Sequence, residues 1–343
     1  MKKDTPIIQR KTDHIRINLD ENVQSGLTTG LEKYHFTHNA LPELNLEEIN
    51  ISTTFFGKKL SAPLLISSMT GGSSEAASIN IALAEAAEKE LIALGVGSLR
   101  AAMDHPHLAN TYQVRKFAPN TLLFANLGAI QLNYGYGVEE CKKAVDMIEA
   151  DALILHLNPL QEALQPEGNT HFKELSNKIE IVCKSIPVPV VIKEVGWGIS
   201  AKVAKRLIEL GVTAIDVAGA GGTSWSQVEM YRAISDNQAK IAADFIDWGI
   251  PTAESILQVR SISPSIPLIA SGGIRNGIDI AKCLALGANL TGMASPFLKA
   301  AVISVDSVIQ TIQTIKQELK ITLFACGIPD TSLLNPFSLI KRD

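Results

Sequence analysis

The sequence predicts a closed (β/α)8 TIM barrel, on three observations. Eight short apolar runs alternate with amphipathic segments, the runs are apolar at successive positions, and nearly every run ends in a polar or glycine-rich cluster. Uninterrupted apolar character marks strands covered on both faces, as in a parallel sheet. A doubly wound sheet usually closes with fewer strands and a switch point, so this many alternations favour the barrel. One domain is expected over residues 1–343, with 1–62 as an N-terminal extension and barrel cap and 63–343 as the barrel.

The elements follow in order. Ahead of the first strand, INISTTFFGKKL reads as a β-hairpin capping the barrel bottom. Strands are predicted at 63–68 (PLLISS), 91–96 (LIALGV), 121–126 (TLLFAN) and 151–156 (DALILH). They continue at 189–194 (PVVIKE), 213–218 (TAIDVA), 267–271 (PLIAS) and 289–294 (NLTGMA). Between them, Val138, Cys141, Val145 and Ile148 recur at helical spacing, as do Phe172, Leu175, Ile179, Val182 and Ile186. Ser200 suits an N-cap, Gly211 a C′ position, and Thr252 and Gly287 punctuate two more helices. A last long helix runs through Val308, Ile312, Ile315 and Leu319. About thirty residues separate strand six from the helix near Thr252, where ~2–6 are usual, and a loop that long on the active face often serves as a lid or collar.

Composition narrows the function classes. Apolar residues make up 46% of the chain, ample for a large core, and a net charge of −4 gives no footprint for nucleic acid. No apolar stretch approaches the ~20 residues of a membrane span, and MKKDTPIIQRKTDH lacks the apolar region of a secretory signal. Cys141, Cys183, Cys283 and Cys326 are scattered, without a CxxC, and read as small core thiols of a reduced, cytoplasmic protein.

In a barrel the chemistry belongs at the C-terminal strand ends. Those ends carry Met69-Thr70-Gly71-Gly72, Gly97-Ser98-Leu99-Arg100, Asn126, His156-Leu157-Asn158, Lys193-Glu194, Gly219 to Ser224, Ser271 to Arg275, and Ala294-Ser295. After strand seven, Ser271-Gly272-Gly273 lets backbone N–H groups approach a phosphate, the following helix start adds its dipole, and Arg275 supplies a charge-assisted hydrogen bond. A tight turn needing glycine for geometry alone is the competing explanation. Lys193 ends an apolar strand, where an ammonium needs a partner. It suits a Schiff base, a hydrogen bond to an electron-rich heterocycle, or a plain ion pair with Glu194 or another acid. Beyond strand four, His156, Asn158, Gln161 and Glu162 cluster within seven residues, and alternation puts His156 and Asn158 on one side. Glu162 is a single carboxylate, so Mg2+ there needs further oxygens, such as those of a diphosphate. Arg10 and Lys11, with His14 and Arg16 nearby, either fold over the mouth or form a solvated charged tail.

Taken in series, RKTDH, SSMTGG, GVGS, ANLG, HLNPLQEALQPEG, IKEVGWG, DVAGAGGTSW and ASGGIR resemble the type 2 isopentenyl-diphosphate isomerases. MTGG or SGG alone carries little weight; HLNPLQE, KEVG and AGAGGTSW in one order are specific. The resemblance implies an FMN barrel that interconverts isopentenyl and dimethylallyl diphosphate in isoprenoid biosynthesis. It also implies reduced FMN, Mg2+, NADPH as a reductant, and a homo-oligomer, tetramer or octamer. By the same resemblance Met69, Thr70, Ser98, Asn126, Lys193 and Thr223 contact flavin, with Gly273, Arg275, Ala294 and Ser295 about its phosphate. Arg10, Lys11, Arg100, His156, Asn158 and Gln161 face substrate, Glu162 binds Mg2+, and Gln161, His156, Asn158 and Lys193 form the catalytic set. Leu99 and Asn169 depart from the family pattern, in which glutamine and an acid are common.

Two rivals are weighed against this. An FMN-dependent 2-hydroxy-acid oxidase or dehydrogenase needs a histidine base beyond the later strands, yet every histidine lies at or before His171. A non-catalytic flavin- or phosphate-binding protein would keep the glycines but lose the HxNxxQE cluster, which is intact.

Overall fold

The computed structural model describes residues 6–342. Eight parallel strands close into a barrel: β1 (Leu64–Ile66), β2 (Ala93–Gly95), β3 (Leu123–Gly128), β4 (Ala152–Leu157), β5 (Val190–Glu194), β6 (Ala214–Asp216), β7 (Leu268–Ser271) and β8 (Leu290–Met293). Each lies inside the run predicted for it or within two residues of its end. Helices cover the outside. The expected caps are present: Ser200 Oγ accepts from Val203 N, and Gly211 and Gly287 take the positive φ that ends their helices.

Period-two alternation sorts every strand into two faces. Leu64, Ile66, Leu153, Leu155 and Ile192 point outward into the main core under the helices. Leu65, Ala93, Phe124, Ile154, Val191, Ala214, Ile269 and Leu290 point inward and form a second apolar core filling the barrel. Two residues further along each strand, the same inward face carries Ser67, Gly95, Asn126, His156, Lys193, Asp216, Ser271 and Gly292. The barrel therefore changes from apolar to polar within one layer, and that layer is the floor of the site.

The hairpin Thr53–Phe55 and Lys58–Leu60 closes the other end, as expected. Phe55 and Leu60 join the inner apolar core, and the Phe56 ring lies 6.1 Å from that of Phe124. Phe56 and Gly57 at its turn have φ of 46° and 77°, the paired positive angles of a two-residue hairpin.

Two regions over the mouth are more ordered than a loop and a tail. The segment after β6 contains the helices Trp225–Arg232 and Asp236–Ala243. Residues Pro6–Asp20 form a helix whose Ile17 packs with Val23 and Val228, beside Trp225. The chain then crosses the barrel top, pairing Gln24 with Thr223.

Candidate active site

At the C-terminal ends of the strands lies a cavity of about 580 Å3. Every residue that the resemblance assigns to flavin, substrate, Mg2+ or catalysis, from Arg10 and Lys11 through to Ala294 and Ser295, lines this one cavity. Arg16, by contrast, is exposed on the outer side of its helix.

On the floor, register makes the charge pairing. Lys193 of β5 is the ladder partner of Asp216 on β6, and His156 of β4 is the partner of Lys193. Lys193 Nζ lies 3.1 Å from Asp216 Oδ2 and donates to Ser271 Oγ at 3.0 Å. Its partner is thus Asp216. Glu194 is one residue on and points away, where one carboxylate oxygen accepts the N–H groups of Val195, Gly196 and Trp197. Burial raises the Glu194 carboxyl to about 7 despite those bonds.

His156 is neutral. Burial, followed by the nearby Lys11, Lys193 and Arg10 charges, pushes it down to about 3. Its Nδ1 lies 2.7 Å from Asn126 Oδ1, which can only accept, so Nδ1 carries the proton and Nε2 keeps a lone pair. Burial, with Arg10 and Arg100 adding repulsion, lowers the Lys11 ammonium to about 7.

One wall is a buried amide–carboxylate network. Asn158 and Pro159 open the helix Pro159–Leu164, which sets Gln161 and Glu162 into the cavity. Asn158 Nδ2 donates to Gln161 Oε1 at 3.1 Å and to Glu162 Oε1 at 3.0 Å. Glu162 Oε2 accepts from Gln165 Nε2 and from Asn169 N. Gln161 Nε2 donates in turn to Glu229 Oε1 at 3.2 Å, and His14 Nε2 lies 3.3 Å from the same oxygen. Burial opposes ionisation of Glu229, but His14, Arg232 and Gln161 outweigh it and hold the carboxyl low. Glu229 and Asp216 were not singled out from the sequence. Each is an acid in an otherwise buried segment, a signal that was present but had no visible partner.

The two departures fall into place differently. Leu99 is fully buried in the main core and does not line the cavity. Asn169 Oδ1 accepts from both Arg100 Nη1 and Gln131 Nε2 at 3.1 Å, so an uncharged carbonyl steadies the guanidinium.

The site offers a flavin suitable polar partners. Ser67 Oγ, Ser68 Oγ, Thr70 Oγ1 and Asn158 Oδ1 are buried without a hydrogen-bond partner, and all four residues line the cavity. Buried polar atoms of that kind need a polar ligand or water. The glycine loops after β6 and β7 press backbone on backbone: a Cβ on Gly222 would lie 2.5 Å from Gly273 N. Arg275 donates to Gln24 beside them. The helix expected to supply a dipole, Gly277–Ala285, is already capped by Asn276, whereas the short helix Ser295–Ala301 after β8 starts without a side-chain cap. Among the described residues no group of three or more His, Cys, Asp or Glu could hold a metal, so any cation beside Glu162 would need further oxygens from a ligand.

Comparison with known proteins decides the family. The family described as FMN-dependent dehydrogenase matches residues 145–341. An isopentenyl-diphosphate delta-isomerase of Nostoc sp. is 55% identical over 97% of this chain and 95% of that relative. One from Rickettsia rickettsii is 54% identical over 93% and 94%. The chain belongs to the isopentenyl-diphosphate delta-isomerases, of the FMN-dependent type 2. Among solved structures, an oxidised active mutant of (S)-mandelate dehydrogenase covers 98% of both chains with a TM-score of 0.70 and 19% identity. A flavocytochrome b2 mutant with pyruvate bound covers 94% of this chain and 79% of its own, with a TM-score of 0.67 and 18% identity. At such identities the likeness shows the shared barrel alone. The isomerases' cavity here holds His14 and His156, but the loops after β6, β7 and β8 carry no histidine for hydroxy-acid oxidation.

Proposed function

We propose that this cavity binds FMN and an isopentenyl or dimethylallyl diphosphate together, and that the chain interconverts the two diphosphates with the flavin reduced and Mg2+ bound. One observation carries the reading. A wall of unpartnered polar atoms (Ser67, Ser68, Thr70) and a cluster of basic residues (Arg10, Lys11, Arg100) share one cavity with Gln161, which donates to Glu229 behind the wall.

Reduced FMN, when bound, would supply an electron-rich ring and an atom able to carry a proton. The protein's own residues do the rest. Arg10, Lys11 and Arg100 would grip the diphosphate, and Glu162, steadied by Asn158 and Gln165, would help hold Mg2+, which would neutralise diphosphate charge. Lys193, held at the floor by Asp216 and Ser271, would hold the flavin by donating an N–H into the cavity. Gln161, anchored by Asn158 and Glu229, orients proton transfer, in which one carbon gains a proton and a second carbon loses a different one. His156, neutral and hydrogen-bonded to Asn126, offers a lone pair without adding charge. NADPH as reductant rests on the family resemblance, and a cytoplasmic location on the four free, scattered cysteines. For a homo-oligomer, tetramer or octamer, there is added support in the apolar surface of Ile234, Ile241 and Trp248 after β6.

The test is an anaerobic assay with isopentenyl diphosphate, Mg2+ and FMN, oxidised against reduced. Dimethylallyl diphosphate formed only with reduced flavin is the expected result. Flavin demonstrably bound but no product would overturn the reaction and return attention to hydroxy acids.

A further inference from the structure

Asp216 is 0% exposed at the end of an apolar strand, does not itself line the cavity, and ends a short relay beneath the floor. Its Oδ2 lies 3.1 Å from Lys193 Nζ. Its Oδ1 accepts from Ser271 Oγ at 2.6 Å and from Ala218 N at 3.2 Å, while Ser271 Oγ accepts from Lys193 at 3.0 Å. Three adjacent strands thus fix the ammonium from below through one direct contact and one bridge. Lys193 has three N–H donors and is itself a cavity residue, so a donor remains for the space above.

Charge makes the arrangement more than a clamp. A lone buried ammonium at the floor would strongly favour any anion above it, because Coulomb interactions are poorly screened there. Paired with a fully buried carboxylate, Lys193 offers directed hydrogen bonding with most of its field cancelled. We propose that Asp216 is a positioning residue that sets how strongly Lys193 favours the reduced, anionic form of the bound flavin. The carboxylate lowers that preference while holding the amine on target. This rests on the reading that Lys193 faces FMN, and the experiment separates the two.

The two-electron midpoint potential of bound FMN is measured at pH 6 in wild type, Asp216→Asn and Lys193→Gln. Removing the carboxylate leaves the cation uncompensated, so Asp216→Asn shifts the preference for reduced over oxidised FMN upward at least about tenfold, or roughly 30 mV. Lys193→Gln shifts it downward. A shift with Lys193→Gln and none with Asp216→Asn overturns the role of Asp216 and leaves Lys193 at the flavin. No shift in either overturns both. If Asp216→Asn fails to hold FMN, the double variant Lys193→Gln/Asp216→Asn decides. Removing both charges should restore a folded, flavin-binding protein if the pair is what matters, and a double variant that also fails overturns the proposal.

Discussion

Lys11 sits among like charges, and its ammonium is lowered to about 7 by burial and then by Arg10 and Arg100. A bound diphosphate reverses that balance, because an adjacent anion favours the charged lysine. The complex therefore holds Lys11 protonated to higher pH than the free site does. Above pH 7, binding takes up a proton, and affinity falls with rising pH by up to about tenfold per unit. Below pH 7 both states carry the proton and the slope vanishes. His156, already neutral above about 3, adds nothing in this range. Calorimetry of pyrophosphate binding to the FMN-loaded protein at pH 6.5 and 8.5 should show wild-type affinity falling relative to Lys11→Arg, a ratio in which pyrophosphate's own ionisation cancels. The same pH dependence in wild type and Lys11→Arg would sink the assignment. At this scale the sequence was informative wherever chemistry clustered locally, as in His156 to Glu162. It was silent on Asp216 and Glu229 because their partners, Lys193 and Gln161, come from other strands and helices. Pairing of that kind depends on register and tertiary packing, which no local pattern encodes.

The N-terminal helix Pro6–Asp20 shows how an element can stay ambiguous until its partner is known. Arg10, His14 and Asn18 recur every four residues and line the cavity with Lys11, while Ile15 and Ile17 are buried. In sequence, a charged stripe of this spacing describes a solvated face as well as a ligand-facing one. The Ile17–Val23–Val228 contact decides between them by docking the helix on Trp225–Arg232. That second helix escaped the sequence pattern for a related reason: its buried residues include Ser226, Gln227 and Glu229, so it has no clean apolar stripe. Deleting residues 1–20 should leave the barrel floor and flavin binding in place while removing Arg10 and Lys11. Charge-assisted hydrogen bonds contribute about 1.5–3 kcal/mol each, so pyrophosphate affinity should fall by at least tenfold. Flavin absorbance and calorimetry on the truncated protein check both halves. Unchanged pyrophosphate affinity would make the helix a cover without a binding role.

Across the whole molecule, the inward face of one closed barrel does two jobs separated by a single layer. Below the polar floor, eight strands and the hairpin bury Phe55, Leu60 and Phe124 in a dry core; above it, the same strands present the site. The polar strand ends were legible in the sequence, but which residues of each run face inward was not, because a strand covered on both faces is apolar at successive positions. In the structure the switch from Ile154 to His156 or from Val191 to Lys193 marks where stability gives way to chemistry. Such a division predicts that damage to the bottom stays at the bottom. Phe55→Ala empties a buried site in the plug and should cost about 3–5 kcal/mol of stability, read as a lower guanidinium midpoint. Bound FMN would mask part of the loss by mass action, so the comparison is made on flavin-free protein. FMN affinity and pyrophosphate affinity, measured well below the midpoint, should then match wild type, because the polar layer and the mouth are untouched. If either falls in step with stability, the plug is coupled to the floor through the strands, and the two ends of the barrel form one cooperative site rather than a foundation and a workspace.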